Sequence, residues 1–502
     1  MQYIVTAEEM KFCDSYTIDR IGIPSLLLME RAAMEMTAVV KKYIKKNSGV
    51  IIFAGTGNNG GDALAVGRLL AEQGADVTFY MPGDEEKASR ETKKQLSVLR
   101  NLGFSILRKM PDAEYDIVID GLFGIGLARE ITGIYEKAIE DIGRLKEKGA
   151  LVAAVDIPSG VCADTGRILG CCVKADFTVT FEYGKAGHYF YPGRKMTGEL
   201  FIRQIGISGK ARKEKETSYF SFSEDEIRNL IPERNPAGNK GTFGKVLLTA
   251  GSHDMAGAAI LCGRSILRTG AGMVKVITTE DNREIIQNSL PEAMLYTFKD
   301  KPDEAKVEEA VKWADVLVAG PGIGREKNAC LLMRQILKQG KLPMVIDADG
   351  LNLIAENKEL QEAVRAYDRR HIIMTPHPGE FIRLSGISME EYKKNPRQAV
   401  RDLAEYFGCV VVGKDAVTLV SSPDVEQVYM NLSGNDGMAT AGSGDVLAGI
   451  IGGLLAQGNA FFEAACIGCC LHGSAGEKAA EKKGRYAVTA SDIIDEICQV
   501  LR

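Results

Sequence analysis

Two glycine-rich turns, each close to a carboxylate, carry the residues of this chain whose types and spacing could do chemistry. The run Gly434-Asn435-Asp436-Gly437-Met438-Ala439-Thr440-Ala441-Gly442-Ser443-Gly444-Asp445 ends on glycines that let backbone approach a phosphate closely. Apolar residues 446–455 read as the helix that follows, whose unpaired N–H groups would face the ligand. Asp445 then stands where a proton could be taken, although a carboxylate in a first helical turn also simply suits the helix dipole. Near the N-terminus, Gly55-Thr56-Gly57-Asn58-Asn59-Gly60-Gly61-Asp62 has the same context, after an apolar run and before a helix. No Lys-Ser/Thr follows, which excludes a triphosphate P-loop, and the spacing is not the dinucleotide fingerprint. Asn59, Asp120 and Ser159 could supply hard oxygen ligands to a group-I cation. Asp156 closes the run LVAAV, the edge at which an open parallel sheet presents its catalytic groups, with a turn carboxylate before Pro158 as the plainer alternative. His377 has the same double aspect, a pocket residue with Glu380 beside it or a turn histidine before Pro378.

The elements that must position these residues alternate. Residues 50–53, 77–80, 117–119, 152–155 and 177–181 read as strands with helical stretches between them, one from about residue 63 to 73. A second alternating series has strands at 245–250, 273–277, 316–319, 344–346, 372–374 and 410–412, and ends in consecutive helices from Asp445 onward. Parallel sheets covered by helices are the economical fold, so two α/β domains in tandem are expected. The charged passage 206–224 begins no regular element and reads as the join, giving domains of residues 1–206 and 225–502 with a linker at 207–224.

A chain of 502 residues exceeds one ordinary core, which agrees with two domains. With 62 basic and 67 acidic residues and a formal net charge of −5, there is no electrostatic case for nucleic acid or an acidic membrane surface. No run approaches the ~18 apolar residues of a membrane span, and MQYIVTAEEMKFCDSYTIDR lacks the basic stretch and apolar core of a leader, so a cytoplasmic protein is expected. Eleven cysteines, an odd number, suggest free thiols. Cys466, Cys469 and Cys470 with His472 imitate metal-ligand spacing, but their small, apolar surroundings favour helix packing over zinc. The single Trp313 is expected in the core.

In order over residues 1–206, GTGNNGGDALAVGRLL, DGLFGIGLARE, AVDIPSG and FEYGKAGHYFYPG resemble the epimerase domain of the nicotinamide nucleotide hydrate repair enzymes. The resemblance implies a Rossmann-like fold that interconverts the R and S epimers of hydrated NADH and NADPH with a bound potassium ion. It assigns contacts with the hydrate to Asn58, Asn59, Gly60, Gly61 and Asp62 and to Gly124, Ile125, Gly126, Leu127, Ala128, Arg129 and Glu130. Potassium falls to Asn59, Asp120 and Ser159, and catalysis to Asp156. Ala63 stands where the family usually has a glycine, and Ile125 where it has threonine.

Over residues 225–502, NKGTFGKVLLTAGSHDMAGAA, AGPGIG, VIDADGLN, TPHPGE, GKDAVTLV and the opening glycine run resemble the dehydratase domain of the same repair system. That implies a ribokinase-like fold and consumption of ADP, to AMP and phosphate, with Mg2+. Ala258, Gly322, Gly324 and His377 would line the hydrate pocket; Lys414, Asp415, Ala416, Val417, Thr418 and Gly444 would hold the nucleotide; Asp445 would be the base and also touch the hydrate. The C6 hydroxyl of the hydrated ring leaves poorly, and phosphoryl transfer to it makes elimination easy. Asp415 replaces a usual glycine, and Asp436 and Ser443 a common proline and threonine. The resemblance further implies a homo-oligomer, with a tetramer as the expected form. The rival reading is a small-molecule kinase of the ribokinase superfamily fused to a dinucleotide-binding domain; the presence of both Asp156 and Asp445 argues against a non-catalytic dinucleotide-binding or RNA-associated protein.

Overall fold

Near-continuous apolar runs such as GVIIFA form strands because a parallel strand covered by helices on both faces buries every side chain. The computed structural model describes residues 1–45, 48–338, 341–368 and 371–501. Its contacts divide the chain into one unit of residues 3–219 and a second of residues 220–502 with residues 1–2.

In the first unit the strands are β1 (Gly49–Ala54), β2 (Asp76–Tyr80), β3 (Ile106–Leu107), β4 (Ile117–Gly121), β5 (Leu151–Val155), β6 (Phe177–Phe181) and β7 (Glu199–Arg203). They lie in the order 3-2-1-4-5-6-7, all parallel. Alternate residues of β1 feed two cores: Val50, Ile52 and Ala54 pack with helices Ser25–Val40, Asn58–Glu72 and Arg90–Asn101, while Ile51 and Phe53 pack with helix Ile134–Glu147. This is a doubly wound sheet, whose order reverses between β1 and β4. Ligands of such sheets bind at that crevice, beyond the carboxyl ends of the strands.

The second unit contains β8 (Lys245–Thr249), β9 (Met273–Thr279), β10 (Met294–Phe298), β11 (Val316–Ala319), β12 (Met344–Ile346), β13 (Ile372–Met374), β14 (Val410–Gly413), β15 (Leu419–Ser422) and β16 (Val425–Met430). They run side by side in the order 10-9-8-11-12-13-14-15-16, parallel up to β14 and antiparallel through the β15–β16 hairpin. The reversal falls between β8 and β11, so both units repeat one topological device. Helix Ser443–Ala456 is buried at every position from 446 to 455, as a helix apolar all round must be. It packs with helices Ala256–Thr269 and Phe461–Lys483.

Several elements differ from the sequence reading. The helix expected from about residue 63 begins at Asn58, and the one expected from 446 begins at Ser443, so both glycine turns are partly first helical turns. Local propensity hides this, because glycine opposes helix until tertiary packing holds it. The passage 206–224 contains helix Gly209–Glu214 and strand Tyr219–Ser221 and leads into helix Glu224–Leu230; Ser208 and Ser223 cap the two helices. β3, β7, β10 and the β15–β16 hairpin had no reading; β3, β7 and β10 are only partly buried and lack a continuous apolar run. Trp313 is half-buried at the end of helix Glu304–Trp313, with the Lys275 ammonium 4.3 Å from its ring centroid, because that helix turns only Val307, Ala310 and Val311 fully inward. Cys466, Cys469 and Cys470 are buried within helix Phe461–Lys483, and all eleven cysteines are free.

Candidate active sites

In the first unit, a cavity of about 720 Å³ opens at the switch between β1 and β4. The turn after β1 approaches the turn after β4 so closely that a Cβ on Gly55 would lie 1.9 Å from the Leu122 carbonyl, and one on Gly60 1.9 Å from that of Gly55. Only glycine fits there. Helix Asn58–Glu72 therefore starts against the cavity, with Gly57 as its N-cap and no side chain capping its free N–H groups.

Asp156 follows β5 with a φ of 62°, a conformation costly for a residue with a Cβ. Its Oδ1 accepts from Lys185 Nζ at 2.5 Å and Thr180 Oγ1 at 2.9 Å. Lys185 is wholly buried and spends its other donors on Thr180 Oγ1 and the Phe181 carbonyl. Burial would raise the Asp156 carboxyl, but the Lys185 ammonium outweighs it and holds the group below the usual value. His188, pushed down to about 4 by burial and then by Lys185, is neutral; it accepts from Lys185 N at Nδ1, and its Nε2 lies 2.9 Å from the Asp156 carbonyl. Asp62 lies in the same cavity with no ion pair among the described residues, and burial, then Asp156 and Asp14, push it well above the usual range.

Asn59, Asp120 and Ser159 meet around the Phe123 peptide. Asn59 Nδ2 donates to the Phe123 carbonyl at 3.0 Å, Phe123 N donates to Ser159 Oγ at 2.9 Å, and Ser159 Oγ donates to Asp120 Oδ1 at 2.6 Å. Asp120 is fully buried, accepts otherwise only from the Ser159 and Leu122 amides, and is pushed up to about 6 by burial despite those bonds. Among the described residues no side-chain cation bonds to it, and a buried carboxylate beside the Ser159 hydroxyl, with the Phe123 carbonyl 3.3 Å from that hydroxyl, fits a monovalent cation.

The cavity is lined by Asn58, Asn59, Asp62, Gly124, Ile125, Gly126, Leu127, Ala128, Arg129 and Asp156. Gly60 and Gly61 lie behind it as packing residues, and Glu130 is exposed outside it. Lys185 had no assigned role, although GKAGH within a reading of apolar and aromatic residues was a signal for a buried cation. Asp14, which lines the cavity from helix Ala7–Ser15, carried no signal.

In the second unit the turn beyond β11 approaches the turn beyond β8 and the helix that follows it, Ala256–Thr269: a Cβ on Gly322 would meet the Ala258 Cβ at 2.8 Å, and one on Gly324 would lie 3.5 Å from the Ser252 Oγ. Asp347 and Asp349 follow β12 around Ala348, whose φ is 50°. Gly324 N donates to Asp349 Oδ2 at 3.0 Å, and Lys414 Nζ, at the end of β14, donates to Asp347 Oδ1 at 2.7 Å. Burial disfavours the Lys414 ammonium, but Asp347 and then Glu380 hold it above its usual value. A Cβ on Gly444 would lie 3.2 Å from Lys414 Nζ and 3.6 Å from Asp347 Oδ2, so the first turn of helix Ser443–Ala456 abuts this pair. Its N-cap is Gly442, φ 86°, and again no side chain caps it.

Asp445, in that first turn, is pushed up to about 7 by burial and then by Asp347, against the pull of Lys414. His377 is the N-cap of helix Pro378–Ser385: Nδ1 accepts from Gly379 N, and Glu380 Oε2 accepts from His377 N. Its imidazole is half exposed and lowered by burial and then by Lys414. Glu380 itself is pushed up to about 7 by burial. Asp415, Ala416, Val417 and Thr418 form the turn between β14 and β15; Asp415 is exposed, and its Oδ1 accepts from Ala416 N. His472, unassigned from sequence for this site, lies 3.2 Å from Ser443 Oγ and is held down at about 4 by burial and Lys414.

Residues 246–499 match the NAD(P)H-hydrate dehydratase family, and residues 25–187 match the family described as YjeF-related protein N-terminus. The chain is 34% identical to the bifunctional NAD(P)H-hydrate repair enzyme Nnr of Moorella thermoacetica, covering 100% of this chain and 97% of that protein. It is 32% identical to the enzyme of the same name from Escherichia coli, covering 99% and 93%. Among solved structures, a ribokinase-like superfamily protein from Enterococcus faecalis aligns at 26% identity over 57% of this chain and 95% of its own, with a TM-score of 0.51.

Proposed function

Since the chain belongs to the bifunctional NAD(P)H-hydrate repair enzymes, which epimerise hydrated NAD(P)H and dehydrate it, we propose that each unit runs one of these reactions with the carboxylate at its own switch point. The first unit, Rossmann-like in strand order, interconverts the R and S hydrates at Asp156; the second, ribokinase-like, dehydrates the S form at Asp445. The observation that carries this is the recurrence, at both reversals, of a helix with an uncapped glycine N-terminus beside a carboxylate. A helix start with no capping side chain leaves its first N–H groups free to receive phosphate. The kinase alternative has no use for a first unit that matches its own family over residues 25–187.

At the first site, Asp156 stays ionised through Lys185 and can accept a proton from the hydrate. The loop residues from Gly124 to Arg129 and Asn58, Asn59 and Asp62 enclose the substrate, with Gly60 and Gly61 allowing that enclosure from behind and Glu130 at its rim. Asn59, Asp120 and Ser159 would hold potassium, which supplies positive charge near the substrate phosphate.

At the second site, Asp445 takes the proton from the C6 hydroxyl as that oxygen receives the phosphoryl group, and the first-turn amides and Lys414 offset the moving charge. Elimination of phosphate, assisted by the ring nitrogen, restores the nicotinamide. Ala258, Gly322, Gly324 and His377 border the hydrate, and Lys414, the turn of Asp415, Ala416, Val417 and Thr418, and Gly444 hold the nucleotide. Asp347 and Asp349, which with burial raise Asp445, are a carboxylate excess that fits Mg2+ arriving with the nucleotide. ADP is the proposed donor by resemblance to the family; the exposed Asp415 would repel the extra charge of ATP more, though it would weaken both nucleotides. Eleven free cysteines favour the cytoplasm as the compartment.

Purified R and S hydrates, incubated with potassium and either ADP or ATP, test this reading. The S form should dehydrate with ADP, giving AMP and phosphate, and the R form should disappear only through prior epimerisation. Faster dehydration with ATP would refute the donor, and direct dehydration of R would refute the division of labour.

A further inference from the structure

Inversion at C6 of the hydrated ring needs a group that gives a proton as well as one that takes it, and the ionised Asp156 can only take. Breaking the C6–O bond would form a ring cation that loses a C5 proton to become NAD(P)H with no nucleotide consumed, leaving the second unit without purpose. Breaking the C6–N1 bond avoids this: the oxygen remains as an aldehyde, C6 rotates, and the ring closes on its other face. That route places one proton demand at the oxygen and one at N1.

The epimerase cavity contains a carboxyl with no role so far. Asp14 lines it from the end of helix Ala7–Ser15. The helix is fixed at its other end by a capping box between Thr6 and Glu9, by Asp164 Oδ1 accepting from Ala7 N at 2.6 Å, and by Glu9 Oε1 accepting from Ser218 N at 2.8 Å. Asp14 is therefore held in place by contacts elsewhere, while no hydrogen bond or ion pair reaches its own carboxyl from the described residues. The cavity's only wholly buried lysine, Lys185, is spent on Asp156, Thr180 and the Phe181 carbonyl. The charged groups facing the same space are Lys11, Asp62, Glu91, Arg129, Asp156 and Lys185. Burial pushes Asp14 up to about 7, with Lys185 pulling down and Asp156 pushing up.

Resting on the epimerase reading of this cavity, we infer that Asp14 is its second catalytic residue, the acid that protonates N1 while Asp156 takes the C6 hydroxyl proton. The O–H pair becomes the second bond of C6=O, the C6–N1 pair goes to nitrogen, and nitrogen gains the Asp14 proton. On closure from the other face the N1 proton returns to Asp14 and the Asp156 proton to the new hydroxyl, so both groups end as they began.

The test uses the full chain without ADP and follows R–S interconversion by chiral chromatography across pH 5–9, in wild type, Asp14→Asn and Asp14→Glu. Asp14→Asn should lower kcat by about 10²-fold or more, with KM within about threefold, and remove the fall in rate above pH 7. Asp14→Glu should restore part of the rate and that alkaline limb. A hydrate labelled with 18O at C6 should keep its label through single-turnover epimerisation. Near-wild-type kcat and an unchanged alkaline limb in Asp14→Asn would overturn the assignment, and loss of label at every turnover would overturn the ring-opening step. Absence of interconversion in wild type would instead reject the epimerase reading itself. Retained near-ultraviolet dichroism in Asp14→Asn separates lost chemistry from lost folding.

Discussion

The two units use one architectural device and arrange its charges in opposite ways. Both sheets reverse order beside their first strand, and both reversals face a helix with a glycine N-cap. In the first unit the proposed catalytic carboxylate, Asp156, owns a buried cation: Lys185 bonds directly to it. In the second the cation Lys414 bonds to Asp347, and Asp445 is left beside the pair. Asp156 is consequently held low, while burial and then Asp347 raise Asp445 to about 7. A shared topological device thus fixes where a carboxylate stands, whereas burial and the neighbouring charges fix whether it is ionised.

The strongest way to break this comparison is a crossed pair of substitutions. Asp445→Asn should lower dehydration of the S hydrate by about 10³-fold while epimerisation stays within about twofold, and Asp156→Asn should do the reverse. On a mixed pool, Asp156→Asn should stall once S is consumed, apart from spontaneous epimerisation. If either variant lost both activities while remaining folded, the sites would not be independent.

Removing the cations comes next. Lys185→Met leaves Asp156 unpaired in a site where its side chain is only 13% exposed, and should destabilise the first unit by about 3–5 kcal/mol in urea unfolding. Lys414→Met should cost more, because it strands Asp347, whose side chain is only 2% exposed against 13% for Asp156. Equal losses would mean that the two pairs do the same work.

The pH dependence sharpens the contrast. A base works only when ionised, so dehydration should rise as pH passes upward through about 7, running at about a tenth of its plateau at pH 6. Asp156 is held below its usual value, so an acid limb from this group in epimerisation belongs below pH ~4. Coincident acid limbs would show that the pairing does not set the protonation states.

The smallest effect concerns Asp415. Being exposed, its charge is screened, and Asp415→Gly should tighten ATP by about threefold and ADP by less, read by calorimetry. A large gain for both nucleotides would place the carboxylate closer to the phosphates than its exposed turn suggests.

Much of this was legible in the chain itself. The main buried strands read correctly because a strand covered on both faces is an apolar run, and runs such as LVAAV or VLVA need no partner to be recognised. The glycine turns and the carboxylates Asp156 and Asp445 were visible for a similar reason, since backbone approach and proton transfer restrict the residue types allowed. Half-exposed β10 and the true starts of helices Asn58–Glu72 and Ser443–Ala456 were not, because their formation depends on packing that local propensity does not report. Nor did sequence show that Gly60 and Gly61 pack behind the cavity rather than lining it. The sequence by itself determined which residues could do chemistry, and it set Asp156 at the end of a strand and Asp445 at the start of a helix. Tertiary structure alone decided the pairing: Lys185 is 29 residues from Asp156, Lys414 is 67 from Asp347, and Asp14 reaches the same cavity from the opposite end of its unit. Charges meet through chain crossings between strands, and those crossings leave no periodicity for a sequence to carry.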